Sequence, residues 1–224
     1  MDYLIQKHDE ALQFSTPSVP SGDGVSLNVI AKGGTKSIGD FITWLKNVKS
    51  FTGLPRPARL AIVKCCWMDQ CLLNVVYRTF IQGSKEDRIV TSAGFEVNAG
   101  DVKHSLMAYT FGRIAKEIIP IYRDLELDYK ELICLRLLLL FDPEIHGLDP
   151  GAKDMVRNTQ EQVLLALEDH CNSKMPSNMQ RFNKLLLSLS LSKGVSQEVS
   201  QEIEVKKALS SVKLDNDMFS SMDI

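Results

Sequence analysis

Nucleophiles, bases and metal ligands are sparse in this chain of 224 residues, and their spacing assembles no catalytic site. The sequence has no glycine-rich phosphate loop, no G-x-S-x-G and no H-E-x-x-H motif. Glu168, Asp169 and His170 precede Cys171, but consecutive residues point in different directions on a helix and cannot converge on one substrate atom. We therefore expect a protein that is not an enzyme, with histidines that serve as surface or capping residues.

The cysteines give no metal-site pattern either. None belongs to a C-x2-C pair with a matching second pair, so no zinc site is predicted. An odd number of cysteines within apolar, helical patterns indicates small buried thiols in a reducing compartment. A redox-active or ligand-lining thiol is the alternative. The five cysteines are Cys65, Cys66, Cys71, Cys134 and Cys171.

Composition and charge exclude several classes of protein. With 26 Lys+Arg against 28 Asp+Glu, the net charge of −2 argues against nucleic-acid binding by bulk charge. The hydrophobic content of 44% is too high for a disordered chain. The longest apolar run, at 137–141, is far shorter than the ~20 residues that span a bilayer, and charges interrupt any signal-peptide core at the N-terminus. We expect a soluble intracellular domain without membrane contact.

The elements that position these residues are predicted to be helices. Apolar residues recur at helical spacing from Ser37 onward and again over 152–171. The stretches 58–80 and 129–141 are apolar almost all round, which is typical of helices covered on several sides. Asp128 and Glu131 fit the capping-box spacing at the start of the second stretch.

Prolines and glycines predict the breaks between these helices. Pro120 is expected to kink or divide a helix over 102–125, and the glycines in 83–100 indicate a small β-hairpin or an irregular turn. Residues 15–35 have the composition of a loop, with at most a helix fragment at 27–31, and a further apolar helix is expected at 179–191. We predict an all-α fold of eight to ten helices in a three-layer antiparallel sandwich. Residues 1–36 form a partly disordered N-terminal helix and loop, and 37–224 form the folded domain.

Several motifs in one order give the chain a family resemblance. Together, over about residues 37–206, they resemble the ligand-binding domains of nuclear hormone receptors, most of all the steroidogenic-factor/fushi-tarazu-factor subfamily. The motifs are F-I-T-W-L-K-N-V-K-S-F-T-G-L at 41–54, L-A-I-V-K-C-C-W-M-D at 60–69, V-Y-R-T at 76–79, L-E-L-D-Y-K-E-L-I-C-L at 125–135 with L-F at 140–141, Q-E-Q-V-x-x-A-L at 160–167, and F-x-x-L-L-L at 182–187.

The resemblance implies a groove for LxxLL helices of coregulators. Such a peptide helix needs an apolar trough and a charge at each end for its terminal backbone groups. By the matched spacing, Ile42 and Leu60 form the floor, Lys46 faces the C-terminal carbonyls of the peptide, and Lys64 lies on the same rim. The alternative for both lysines is that they are solvated helix-surface residues.

The end of the chain departs from the family pattern. The activation helix of the family carries a glutamate that holds the N-terminal amides of the peptide, and Ser221 stands at that position here. Phosphorylation of Ser221 would restore the negative charge. The alternative is a frayed tail with accidental serines. The residues that match this helix are Met218, Phe219, Ser221 and Met222.

The resemblance also implies a lipophilic pocket beneath the central helices. Lys206 matches a lysine that contacts phospholipid head groups in the subfamily, whereas Glu202 stands where the subfamily has a tyrosine. The pocket therefore takes a different lipid or is filled by side chains. The lining we predict is Ile38, Met68, Leu72, Val75 and Phe111.

These observations predict a regulator of transcription in the nucleus, with shuttling to the cytoplasm left open. Its predicted partners are coactivator or corepressor helices and a lipid or steroid-like ligand, and it acts as a monomer or weak dimer without cofactor or metal. The four-cysteine zinc modules that bind DNA in this family are absent, so we expect no direct nucleic-acid binding by this chain. One rival is a ligand-independent helical adaptor, or a dominant-negative receptor form, that docks partners constitutively. A second rival is an enzyme on a helical scaffold.

Overall fold

A computed structural model describes residues 27–82, 88–91, 96–98, 105–178 and 180–209, of which 27–35, 105–107 and 202–209 are described by their backbone alone. These residues form helices with one two-stranded hairpin, so the predicted all-helical class is confirmed. The elements are α1 (Leu27–Leu45), α2 (Lys49–Thr52), α3 (Arg56–Ile81), β1 (Arg88–Val90), β2 (Glu96–Asn98), α4 (Ser105–Arg113), a π-helical turn (Ile114–Ile118), α5 (Ile119–Asp124), α6 (Tyr129–Leu140), α7 (Pro150–Lys174) and α8 (Arg181–Leu209).

The central helix is α3, which contacts α1, α5, α6, α8 and β1. Its burial confirms the prediction that a helix without a polar face is covered on several sides. Pro57 lies in its first turn, where the missing N–H is not needed. By length and composition α3 is also the one helix of the described residues that could cross a membrane, but half of that stretch is buried inside the protein, as in a core helix.

The second central helix is α6, which contacts α3, α7 and α8. All ten residues from Glu131 to Leu140 are buried. The predicted capping box is present: Glu131 N–H donates to Asp128 Oδ1 over 2.8 Å, and Asp128 N–H donates to Glu131 Oε2 over 3.0 Å. The cap fixes where the helix starts, so that its apolar surface meets α3, α7 and α8 together.

A predicted break at Pro120 takes the form of a π-helical turn. The chain stays helical from Ser105 to Asp124, but Ile114–Ile118 widen to the π form directly before α5. In a regular α-helix the proline ring would press against the carbonyl of Lys116 and leave it without a donor. The wider turn accommodates both effects without ending the helix.

The hairpin expected within 83–100 is present. Its two strands are antiparallel, with Ile89 opposite Val97, and the Val90 N–H donates to Thr79 Oγ1 on α3 over 2.8 Å. Through this bond the hairpin is attached to the central helix. The residues between the strands lie outside the described part.

Two helices extend beyond the boundaries that the sequence pattern predicts. α1 begins at Leu27 rather than Ser37 and passes through Gly33 and Gly34, because adding a residue to an existing helix offsets the cost of about 1 kcal/mol per glycine. α8 continues past 191 to Leu209. It contacts α3, α4 and α7, and this packing sustains a helix whose own sequence is rich in serine and glutamine.

Candidate functional site

The residues predicted for the coregulator groove lie where α1 ends and α3 begins. Ile42 on α1 and Leu60 on α3 are half-buried, whereas Lys46, one residue after α1, and Lys64 on α3 are exposed. The two helices contact each other. Two half-buried apolar residues and two exposed lysines therefore belong to this pair of neighbouring helices and the residue that follows α1. The remaining predicted groove residues lie outside the described part: Met218, Phe219, Ser221 and Met222.

A cleft of about 460 Å³ opens next to this corner, between α3 and α8. We call it the α3–α8 groove. It joins two residues that the sequence assigned to different sites, since Lys64 was predicted for the coregulator groove and Met68 for the ligand pocket. The other lining residues are Cys65, Trp67, Asp69, Lys193, Ser196, Gln197, Ser200 and Gln201.

The polar wall of the α3–α8 groove is built around the buried carboxylate of Asp69. Ser196 donates a hydrogen bond to Asp69 Oδ1, and burial raises the pKa of Asp69 against the opposite effects of Ser196 and Lys193. Lys193 Nζ lies 2.7 Å from Asp142 Oδ2. Burial raises the pKa of the Cys65 thiol, so that it is a poor nucleophile. This wall suits the binding of polar groups and does not activate a nucleophile.

The predicted pocket residues are divided between the core and its edge. Leu72 and Phe111 are buried in the hydrophobic core, and Val75 is half-buried against it. Ile38 is half-buried on α1. Lys206 belongs to α8, and its side chain is outside the described part. A common pocket for these residues stays a prediction.

A polar cluster that the sequence analysis missed joins α1, α3 and α6. Arg136 is 6% exposed, and its guanidinium carbon lies 4.0 Å from the ring centre of Trp44. Arg136 Nε donates to Gln70 Oε1 over 3.0 Å, and Gln70 Nε2 donates to the Arg136 carbonyl over 2.8 Å. We call Trp44, Gln70 and Arg136 the Arg136 cluster. The signal in the sequence was an arginine inside an apolar helix, since unpaired charges are rarely buried.

A second cluster, also missed, joins the starts of α6 and α8 to the end of α7. Arg181, 1% exposed, holds both oxygens of the buried Glu131 carboxylate, through Nε at 2.6 Å and Nη2 at 2.7 Å. Lys174 Nζ and His170 Nε2 lie 3.0 Å and 2.8 Å from Asp128 Oδ2. We call these five residues the Glu131 cluster. Its sequence signal was only the capping box, because Arg181 is 50 positions from its partner.

The Glu131 cluster also brings three metal-ligating groups together, since ligand atoms of Asp128, Glu131 and His170 lie within 4.8 Å of one another. The donor set does not fit a metal ion, because each carboxylate already has a cation: Arg181 for Glu131 and Lys174 for Asp128. The cluster is therefore an ion-pair network that connects three helices.

Comparison with known proteins gives consistent matches. Residues 34–209 match the family model described as the ligand-binding domain of nuclear hormone receptor. The chain is 24% identical over 194 residues to "Retinoic acid receptor RXR" of Biomphalaria glabrata, covering 87% of this chain and 43% of that protein. It thus spans less than half the length of this curated relative.

A solved structure gives the same fold. The ultraspiracle ligand binding domain from Drosophila melanogaster superposes with a TM-score of 0.76 at 19% identity, covering 91% of this chain and 89% of that chain. At this identity the likeness concerns the fold, and it agrees with the layered arrangement around α3 and α6.

Proposed function

Because the chain belongs to the nuclear hormone receptor family, as a ligand-binding domain, we propose that it regulates transcription by binding helical coregulator peptides under the control of a lipophilic ligand. The observation that carries the proposal is the corner of α1 and α3. There, Ile42 and Leu60 are half-buried while Lys46 and Lys64 are exposed. An amphipathic LxxLL helix fits such a strip, because its leucines cover the apolar residues and its last carbonyls accept from a lysine.

The test is peptide binding to the purified chain, measured by fluorescence anisotropy with labelled LxxLL and corepressor-type helices. We expect micromolar binding that Lys46→Ala weakens by ~10-fold, the effect of one charge-assisted hydrogen bond. Lys116→Ala is the matched control, since Lys116 is exposed in the π-helical turn, away from the corner. Absence of binding, or equal loss in both variants, would refute the groove.

The C-terminal residues around Ser221 affect how tightly the domain binds an activating peptide. Ser221 stands where the family has its clamp glutamate, and we propose that phosphorylation there supplies the missing charge. Phosphorylated protein should then bind LxxLL peptide more tightly than unmodified protein. Equal affinities would leave the serine without this role.

A constitutive adaptor is the second candidate. Leu72 and Phe111, predicted to line a ligand pocket, are buried in the hydrophobic core, as expected of a pocket filled by its own side chains. In that case, peptide binding is unchanged by any lipophilic additive. Ligand-dependent binding would exclude the adaptor.

The subfamily of the chain and the identity of its ligand are separate points from its family. The relatives described above include a retinoic acid receptor and an ultraspiracle domain, and neither supports the steroidogenic-factor/fushi-tarazu-factor prediction. The role of Lys206 as a phospholipid head-group residue depends on that subfamily, so it stays a prediction without further support. A lipid extract of the purified chain, analysed by mass spectrometry, is the direct test.

Members of the family form dimers, and the exposed Leu165 on α7 and Leu187 on α8 are the apolar residues through which we place such a contact. Analytical ultracentrifugation of Leu187→Ser tests this. The dissociation constant should increase relative to that of the unmodified chain, and an unchanged constant would locate any dimer elsewhere.

A further inference from the structure

We infer that the partner helix of this domain carries acidic side chains beside its leucines, and that a basic face at the corner of α1 and α3 selects the partner through them. The inference rests on the proposed function, because it names the chemistry of the helix that this corner binds. Three features carry it: a run of positive charge without acids, positions held at the surface by buried neighbours, and cations without a carboxylate partner in the described part. The basic face consists of Lys46, Lys49, Arg56, Arg59 and Lys64.

The positive charge is concentrated in one stretch of the chain. Residues 41–68 contain five Lys+Arg and no Asp or Glu, although the whole chain has 26 Lys+Arg against 28 Asp+Glu and a net charge of −2. Asp40, just before the stretch, is bound by Lys36 and Arg78 over 3.1 Å and 3.3 Å. Asp69, just after it, is buried. Among the described residues, neither of these two acids forms an ion pair with the basic face.

Buried neighbours fix the first part of the basic face. The link between α1 and α3 is anchored by Val48, Phe51 and Leu54, all three of which are buried in the hydrophobic core. Lys46 and Lys49, on either side of Val48, are exposed. The anchored link therefore holds both ammonium groups at the surface, next to the start of α3.

The second part of the basic face is a stripe along α3. Arg56, Leu60 and Lys64 follow one another at a spacing of four residues, so they lie on one side of the helix. Both cations are exposed, and Leu60 between them is half-buried. The two cations are about 12 Å apart along the helix axis. A partner helix whose leucine covers Leu60 reaches both of them with acidic side chains about two turns apart.

Arg59 provides a hydrogen-bond donor that the protein leaves unused. It is half-buried, and its buried Nε has no hydrogen-bond partner among the described residues. In the same part of the chain, no carboxylate lies within ion-pair distance of Lys46, Arg59 or Lys64. Elsewhere exposed acids accompany the cations, as Glu117 does Arg113. Since a buried N–H is rarely left without an acceptor, Arg59 has a place for a carboxylate oxygen from a partner.

A short acidic helix fits this face better than a nucleic acid does. The rest of the chain carries a negative net charge, which repels a long phosphate backbone but leaves a local contact unaffected. Charge complementarity of this kind contributes mainly to the choice of partner and to the rate of association. The basic face therefore discriminates among helices that share the same leucines.

The test compares three labelled peptides that share one LxxLL core and differ in acidic, neutral or basic flanks, by fluorescence anisotropy on the full chain. At low salt we expect the acidic peptide to bind ~10-fold more tightly than the neutral one, since several weak exposed pairs act together. The basic peptide should bind more weakly than the neutral one. These differences should shrink at high ionic strength, because salt screens exposed charges.

Variants of two arginines test the basic face without touching the predicted groove residues. Arg56→Gln combined with Arg59→Gln should reduce the preference for the acidic peptide to about 2-fold or less and leave the affinity for the neutral peptide unchanged. Replacing both by Glu should make the basic peptide the preferred one. The matched control is Lys116→Gln combined with Lys130→Gln, exposed residues of the π-helical turn and α6. It changes the net charge equally and should keep the preference.

Circular dichroism establishes that each variant is folded. The inference is overturned if the wild type shows no preference, if the preference survives in the double arginine variant, or if the control loses it equally. Binding to phosphatidylserine vesicles that requires Arg56 and Arg59, without a preference among the peptides, would assign the basic face to a membrane and also overturn the inference.

The two proposals fail separately. A chain that binds the neutral peptide without preferring the acidic one retains its proposed function and loses only this choice of partner. An acidic peptide that binds equally well after its leucines are replaced by alanine would support the basic face and refute the LxxLL groove.

Discussion

Two buried arginines, one on α6 and one at the start of α8, differ in what holds their charge. Arg181 is 1% exposed and has a carboxylate partner with both oxygens engaged, at 2.6 Å and 2.7 Å. Arg136 is 6% exposed and has an amide and an indole ring instead. A guanidinium paired inside the fold connects secondary-structure elements. One held by an amide and an aromatic ring also connects elements, here α6 with α3 and α1, but its charge is not cancelled by a carboxylate partner.

The pairing of Arg181 has an evident structural purpose. Glu131 is the third residue of α6, Arg181 is the first residue of α8, and Lys174 is the last residue of α7. The Arg181 Nη2 and Lys174 Nζ groups also donate to the Glu126 carbonyl, over 3.4 Å and 3.0 Å. Glu126 has a positive φ of 47°, a conformation that costs a non-glycine residue energy, and these bonds hold the turn before α6 in that shape.

The largest expected effect comes from Glu131→Gln, which keeps the shape of the side chain and removes its charge. Arg181 is then buried without a counter-charge, so the free energy of unfolding should fall by about 3–5 kcal/mol. Urea denaturation followed by circular dichroism measures the change. A loss below about 1 kcal/mol would mean that Arg181 finds another partner and would remove the contrast with Arg136.

A smaller effect is expected at Asp128, through pH. Burial raises its pKa, but the Glu131 N–H, His170 and Lys174 together hold the pKa below its ordinary value. A carboxyl group with a lowered pKa stabilises the folded state above its unfolded pKa of ~3.9 and loses this contribution as the pH falls through the folded value. The melting temperature should therefore decrease on acidification below about pH 4.

Asp128→Asn is the control for this dependence, because asparagine remains a good N-cap but does not titrate. The variant should be less stable than the wild type at neutral pH and should lose less of its stability on acidification. Identical acid profiles for the two proteins would show that other carboxylates, such as Asp142 beside Lys193, determine the dependence.

Local patterns predicted much of the fold and less of these clusters. The capping box, the all-round apolar helices and the hairpin follow from short-range spacing, and the structure contains all three. The extents of α1 and α8 depend on how far an existing helix propagates and on contacts with other helices, which no local pattern records. Arg181 and Glu131 are 50 residues apart, so their pairing was not predictable, whereas the unusual setting of Arg136 was visible as a charge in an apolar run.

In the candidate site, too, local features were predicted from the sequence and tertiary contacts were not. Lys46 and Lys64 were predicted as rim residues from matched motifs, and both are exposed. Lys64 and Met68 were assigned to separate sites, because the sequence does not reveal that α8 lies beside this part of α3. The resulting α3–α8 groove is a consequence of tertiary packing.

Arg136→Met should have a smaller effect than Glu131→Gln. Replacing an unpaired buried charge by an apolar side chain of similar volume is often neutral or stabilising. This offsets the loss of the bond to Gln70 Oε1 and of the contact with the Trp44 ring, each of about 1 kcal/mol. We expect the free energy of unfolding to change by less than about 1.5 kcal/mol. A loss of several kcal/mol would show that Arg136 is as much a structural residue as Arg181.

The smallest effect is expected from Glu117→Gln, which makes the same chemical change as Glu131→Gln on the surface. Glu117, 43% exposed, accepts from Arg113 Nη2 at 2.7 Å, and Arg113 also binds Glu198. Solvent and salt screen such pairs, so the loss should be about 0–1 kcal/mol and should shrink further at high ionic strength. The two substitutions differ in burial and not in chemistry. If Glu117→Gln cost as much as Glu131→Gln, burial would not be what distinguishes the paired arginine of the Glu131 cluster, and the contrast with Arg136 would need another cause.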